Sequence, residues 1–400
     1  MFIPVKVAGY EFRNPFVVGS GPTAKSITQL KEAEEQGWGG VSIKLTMDPD
    51  PYINLPPRYR WYKNLDYHIF TAETRLTFSE GLKLMDDARK ETKEMILFGN
   101  FAYFGDEGLK GWVNMAKKFE EAGAHILEIN FCCPNMSFTK EASGESSGPR
   151  SGASLGQDPE LVGMIVKAMV ESVQIPVFAK ITPEGGNIGD VAKRAVENGA
   201  SGISSVGNRL GMPPFDIYHP QKTTYNLQEG FSLGCLSGPW LKTEAEKDVF
   251  QIRKAIGTSP AVVGLGGIKT FQDVIEYAMV GADLFGICTE TMVSGFGIVK
   301  KIGEGVQKYI NEMGFSSFSE IRDKMLPYLK TSADIKTLPG YAIVDENLCN
   351  GCERCSKIGH CCAIEIKNKK AFVNKEKCLA CSTCTDICPK SAIKMVTGKM

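Results

Sequence analysis

The sequence has no excess of either charge: lysines plus arginines total 46, as do aspartates plus glutamates, so the formal net charge is zero. Nothing in that balance draws a nucleic-acid backbone or an anionic membrane. No apolar run approaches the roughly 18 residues that a membrane-spanning helix needs. The first residues, MFIPVKVAGYEFRNP, lack the basic start and apolar stretch of a secretory signal, and a cytoplasmic protein is expected. No Gly-x-Gly-x-x-Gly fingerprint occurs, so the chain shows no dinucleotide-binding fold of its own. His68, His125, His219 and His360 have no ligand spacing. Cysteine is sparse over most of the length: of thirteen, only Cys132, Cys133, Cys235 and Cys288 come before residue 349. A long, core-forming segment with so few cysteines argues against a disulfide framework.

The remaining nine cysteines lie between Cys349 and Cys388. Thiols clustered in this way read as metal ligands. Cys378-Leu-Ala-Cys381-Ser-Thr-Cys384-Thr-Asp-Ile-Cys388-Pro389 is the C-x2-C-x2-C-x3-C-P run of two-cluster bacterial ferredoxins. In that arrangement the close triplet holds one [4Fe–4S] cluster and the fourth cysteine holds the other. Cys349-Asn-Gly-Cys352-Glu-Arg-Cys355 supplies the matching triplet, and Ala363-Ile364 and Ala392-Ile393 mark an internal repeat. Paired C-x2-C units also bind zinc, but two triplets and the Cys-Pro ending favour two [4Fe–4S] clusters. One ligand stays open: after Cys355 come Cys361 and Cys362, and the spacing does not choose between them.

Upstream, short apolar runs alternate with longer amphipathic stretches. Strands are expected at Phe16–Gly19, Gly40–Leu45, Met95–Phe101, His125–Phe131, Pro176–Ile181, Gly202–Val206, Ala261–Gly267 and Leu284–Cys288. Helical patterns occupy Ser26–Gln36, Leu109–Ala122, Pro159–Val173, Gly189–Asn198, Glu244–Ile256 and Phe271–Met279. Repeated β-then-α units imply a parallel sheet, and eight of them suit a (β/α)8 TIM barrel better than an open doubly wound sheet. The expected division is a barrel over 1–315, a linker over 316–341 and a small α+β ferredoxin-like domain over 342–400. Polar residues follow nearly every strand, where a barrel gathers its chemistry. Gly266-Gly267 after strand seven and Thr289 after strand eight offer backbone N–H groups and a hydroxyl to a phosphate.

These residues resemble a known family. Asn14-Pro-Phe-Val-Val-Gly-Ser-Gly-Pro22, Gly39-Gly-Val-Ser-Ile-Lys44, Asn130-Phe-Cys-Cys-Pro-Asn135, Phe178-Ala-Lys-Ile-Thr-Pro183 and Gly264-Leu-Gly-Gly-Ile268 resemble the class 1 dihydroorotate dehydrogenases, whose barrel binds FMN. With the ferredoxin module joined on, the pattern is similar to the catalytic subunits of bacterial NAD-dependent dihydropyrimidine dehydrogenases. The resemblance implies an FMN and iron–sulfur oxidoreductase that reduces a conjugated C=C, with uracil or thymine as substrate. It implies Cys133 as the acid that protonates one carbon, and Asn130, Asn135, Asn100 and Asn208 around the substrate. Gly19, Ser20, Lys44, Lys180, Ser204, Gly238, Gly266, Gly267, Cys288 and Thr289 fall where the family holds its flavin, with Lys180 facing the negative charge of the reduced ring. An ion pair at the barrel rim is the plainer reading of both lysines. The resemblance further implies an FAD and NAD(P)H flavoprotein subunit or a ferredoxin as electron donor, and a homo- or hetero-oligomer. A different substrate reached by the same machinery is the alternative.

The chain departs from the pattern at two points. Ser204-Ser-Val-Gly-Asn208 puts Gly207 where a pyrimidine-reading asparagine is expected, and Asn100 stands out of clear register after strand three. Each lost amide contact leaves a polar group unpaired, at roughly 1–3 kcal/mol. Cys132 and Cys235 read as structural, and Arg58-Tyr-Arg-Trp-Tyr-Lys63 as a solvated face or subunit contact. The Ser/Gly-rich stretch Ser137–Ser154 reads as a mobile active-site loop.

Overall fold

A computed structural model describes residues 3–50, 54–71, 74–133, 152–184, 186–205, 207–330 and 332–398. Asn135 and most of the stretch expected as a mobile loop lie outside them.

Eight parallel strands close on themselves: β1 (Phe16–Val18), β2 (Gly40–Ser42), β3 (Ile96–Tyr103), β4 (Ile126–Asn130), β5 (Val177–Lys180), β6 (Gly202–Ser204), β7 (Ala261–Leu265) and β8 (Leu284–Ile287). Each pairs with its successor, β8 returns to β1, and β3–β4 completes the ring. A helix follows every strand: α1 (Ile27–Gln36), α2 (Phe78–Glu91), α3 (Leu109–Glu121), α4 (Pro159–Val170), α5 (Ile188–Glu197), α6 (Lys242–Ile256), α7 (Phe271–Met279) and α8 (Ile298–Met313). The expected (β/α)8 barrel is therefore the observed one. Helices α2 and α8 were not among the periodic stretches picked out from sequence. For α2 a start signal was present: Thr77 and Glu80 form a capping box in which each side chain bonds the other's backbone N–H.

Strands this short are buried on both faces and read as unbroken apolar runs, so polar residues within them stand out. By two-residue alternation, Phe98, Asn100, Glu128, Asn130, Phe178 and Lys180 point into the ring. Phe98 and Phe178 meet edge to face with ring centres 5.8 Å apart. The polar members sit toward the C-terminal ends of the strands.

Four short antiparallel strands, ordered Arg209–Gly211, Gly234–Ser237, Tyr67–Phe70 and Tyr59–Tyr62, form a second sheet from the insertions after β2 and β6. The basic-aromatic stretch beginning at Arg58 is thus an edge strand of this sheet.

The chain divides into two units, Met1–Tyr328 and Leu329–Met400. The boundary falls inside the stretch expected as linker, because Phe318 and Ile321 are buried in the barrel's core. In the second unit Gly340–Val344 pairs antiparallel with Ile393–Thr397, and Ile364–Lys367 with Lys370–Val373. Its buried core is small: Ala342, Ala363, Ile364, Ala371 and Ile393, together with Cys378 and Cys384. Among the described residues, no helix is long and apolar enough to cross a membrane.

Candidate functional site

A cleft opens at the C-terminal ends of the barrel strands. It is lined by residues from the ends of several barrel strands and from the antiparallel sheet. Lys44, which follows β2, and Lys180, the last residue of β5, both line it and are 2% and 5% exposed. Asn130, Cys132 and Cys133 line it from the end of β4.

Beneath the cleft the barrel holds a charged network. Glu128 Oε2 accepts from Ser42 Oγ and Asn100 Nδ2, each at 2.5 Å, and lies 3.3 Å from Lys180 Nζ. Asn100 Oδ1 accepts from Asn130 Nδ2 at 3.1 Å, and Asn130 Oδ1 accepts from Cys132 N at 3.2 Å and Cys132 Sγ at 3.0 Å. Burial pushes the Glu128 carboxyl up, but Lys180 and the hydroxyl and amide donors outweigh it and hold the group below its ordinary value. Burial alone would lower Lys180; the Glu128 charge overrides it and the ammonium is held above its usual range. The plainer reading of Lys180 as an ion-pair member and the flavin reading are thus compatible: it pairs below and lines the cleft above. Ser204 Oγ lies beside the carboxylate and helps lower its pKa without reaching full hydrogen-bond geometry.

Of the expected cofactor residues, Ser20, Gly238, Gly266, Gly267, Cys288 and Thr289 also line the cleft. Gly266 and Gly267 have φ of +126° and +71°, and a Cβ on Gly266 would lie 2.7 Å from Ala245 Cβ. Only glycines fit that turn, and they leave its backbone N–H groups unscreened. Gly19 and Ser204 lie outside the lining. Asn208 and Gly207 lie within it. Gly207 stands where an amide was expected because a Cβ there would come 2.5 Å from Gly266 Cα. Arg209 holds this loop, bonding Gly207 O at 2.9 Å and the buried Asp248 at 2.7 Å. Asn100 is fully buried with both ends of its amide engaged inside the network, and it does not line the cleft.

Arg75 was not singled out from sequence, and His68 and Tyr59 were given no role in the site. Arg75 Nη2 lies 3.6 Å from Cys133 Sγ. His68 and Tyr59 line the cleft from the antiparallel sheet. Burial lowers the His68 pKa and favours its neutral imidazole, against the opposing pull of Asp66. Cys235, in the same sheet, is buried and off the cleft.

In the second unit the cysteines sort into two sets of four. Burial pushes the Cys384 thiol up, and its neighbours Cys378, Cys381 and Cys361 add to the effect. Cys361, Cys378, Cys381 and Cys384 line one hollow. Burial likewise raises Cys355, with Cys349, Cys352 and Cys388 around it. Cys388 thus leaves its own run to join the other triplet. Cys361 lies with the Cys378 triplet, while Cys362 is exposed and in neither set. Backbone N–H groups point at the sulfurs, Ala342 N to Cys378 at 3.4 Å and Ala392 N to Cys388 at 3.3 Å, as at cluster thiolates. Among the described residues no three His, Cys, Asp or Glu converge tightly enough for a single ion.

The dihydroorotate dehydrogenase family model matches residues 2–310, and the 4Fe-4S binding domain model matches residues 371–394. The NAD-dependent dihydropyrimidine dehydrogenase subunit PreA of Escherichia coli K12 is 27% identical over 369 residues, 88% of this chain and 84% of its own length. The chloroplastic dihydropyrimidine dehydrogenase (NADP(+)) of Arabidopsis thaliana is 25% identical over 350 residues, 83% of this chain and 79% of that protein. The catalytic subunit of dihydroorotate dehydrogenase B (NAD(+)) from Thermococcus kodakarensis is 31% identical over 333 residues, 80% of this chain and 96% of that one. A cationic floor and a glycine turn open to a phosphate fit the FMN that this family implies, and the thiols fit its iron–sulfur addition. The chain belongs to the dihydroorotate dehydrogenase family, as an oxidoreductase acting on CH–CH bonds that also carries a 4Fe-4S binding domain.

Proposed function

We propose that this chain reduces uracil or thymine to the 5,6-dihydropyrimidine, with electrons entering through two [4Fe–4S] clusters from an NAD(P)H-oxidising FAD flavoprotein. The observation that carries the reading is the pairing, in one chain, of a thiol–amide–lysine cleft with two thiol quartets. When bound, FMN supplies hydride transfer and exchange of single electrons with clusters. Reduction of the C=C consumes two electrons and two protons, one of which travels with the hydride.

Cys133 Sγ holds the second proton for the carbon next to the activating carbonyl. Asn130 spends one N–H on Asn100 and turns the other to the substrate, with Asn208 adding a further polar contact. Lys44 and Lys180 would hold the electron-rich side of the flavin, and Gly266, Gly267 and Thr289 would hold its phosphate. Ser20, Gly238 and Cys288 would close around the rest.

A second reading is favoured by Arg75. A guanidinium 3.6 Å from the acid thiol puts positive charge beside that thiol, which suits a conjugated substrate bearing an anionic group, reduced by the same machinery with reduced ferredoxin as donor. The test is consumption of uracil or thymine by the reconstituted chain with an FAD flavoprotein and NAD(P)H. Turnover supports the first reading; none with either base, but turnover with a conjugated carboxylate, replaces it with the second.

A further inference from the structure

Glu128 is 2% exposed and gathers Ser42, Asn100 and Lys180 on one carboxylate oxygen. These partners come from β2, β3 and β5. An ionised carboxylate offers acceptors only. Asn100 must therefore turn its NH2 toward Glu128 and its carbonyl oxygen toward Asn130 Nδ2. Asn130 is then obliged to point its own oxygen at Cys132, whose N and Sγ both lie within bonding distance. The direction of every bond from Glu128 to Cys132 follows from the charge at one end. On the other side the same charge opposes that of Lys180, which a buried ammonium otherwise carries at a heavy desolvation cost.

We propose that Glu128 is a positioning residue for both halves of the cleft: it fixes Lys180 and moderates the positive charge offered to the flavin, and through Asn100 it sets which face Asn130 turns to the substrate. The proposal rests on the FMN ene-reductase reading. Burial works against the charged form of Glu128, but its cation and donors keep it ionised at neutral pH.

The test uses the full-length, FMN-loaded chain. Glu128→Gln keeps the shape and an acceptor oxygen and removes the charge. Lys180 is then unopposed, so the flavin's reduction potential rises. Its affinity for sulfite, read from bleaching of the visible absorbance, rises roughly tenfold, equivalent to about 30 mV for a two-electron couple. Lys180→Met moves both the other way, and the double variant matches Lys180→Met. Asn100→Leu cuts the relay but spares the ion pair, raising the substrate KM with the potential unmoved. A loaded Glu128→Gln variant with wild-type potential and sulfite affinity overturns the proposal. A wild-type chain that takes up no FMN overturns the underlying reading instead. Should Glu128→Gln fail to fold, Asn100→Leu decides: it cuts the relay from Glu128 to Asn130 while the ion pair stays, and an unchanged substrate KM overturns the proposal.

Discussion

Cys133 and Glu128 show the two ways in which single residues of this site announce themselves. Cys133 precedes a proline at a strand end within a run that resembles a family motif, and it lies in the cleft where that resemblance points. Glu128 stands two residues before Asn130 in the same strand, yet a lone glutamate carries no signal by itself. Its meaning depends on Ser42, 86 residues away in sequence, and on Asn100 and Lys180. Arg75 was illegible for the same reason, since its contact with Cys133 spans 58 residues. At this scale the account predicts that Cys133→Ala lowers turnover by about 10²–10⁴-fold, the usual worth of a positioned acid. Flavin content, read by absorbance, should stay at the wild-type level, because no backbone or charge that would hold the flavin is altered. Loss of flavin with turnover would instead make Cys133 a packing residue.

The eight barrel strands were all legible as elements, because buried parallel strands are compact apolar runs between amphipathic helices. The antiparallel sheet was not. Its strands are three or four residues long, and Cys235 pairs with Phe70 across more than half of the barrel sequence. Only pairing at that separation reveals that His68 and Tyr59 reach the cleft. The joint between β3 and β4 carries a prediction of its own. His125 Nδ1 accepts from Leu97 N at 3.0 Å, and its Nε2 lies 3.0 Å from Arg89 Nη1. Burial, and then the Arg89 charge, lower its pKa from 6.5 to about 4. The unfolded chain therefore binds a proton near pH 6.5 that the fold resists. The stability that His125 contributes is complete above about pH 6.5 and is lost as pH falls from there through about 4. Urea midpoints of the barrel transition should fall over that window, and His125→Gln should flatten the slope. An equal slope in the variant would contradict this assignment.

For the molecule as a whole, the second unit is too small to depend on its few buried apolar residues alone, and metal binding is expected to complete its folding. The cysteine run made the ferredoxin character legible, but not the fourth ligand, since adjacent thiols differ only in the direction the backbone gives them. Cys362 sits at a φ of +50° and is exposed. Cys361→Ser should therefore lose or convert one of two clusters, seen as lower iron and sulfide per chain, while Cys362→Ser keeps the wild-type content. The reverse result would reassign the ligand. The central claim, that reducing equivalents held by this chain pass through the flavin cleft to a conjugated C=C with Cys133 supplying the proton, is tested most directly by anaerobic reoxidation of the dithionite-reduced holoprotein. The account predicts that uracil or thymine reoxidises the flavin in the wild type and that Cys133→Ala slows this step by at least about 10². A flavin that stays reduced with these bases and with conjugated carboxylates, or one reoxidised equally fast without the thiol, would contradict it.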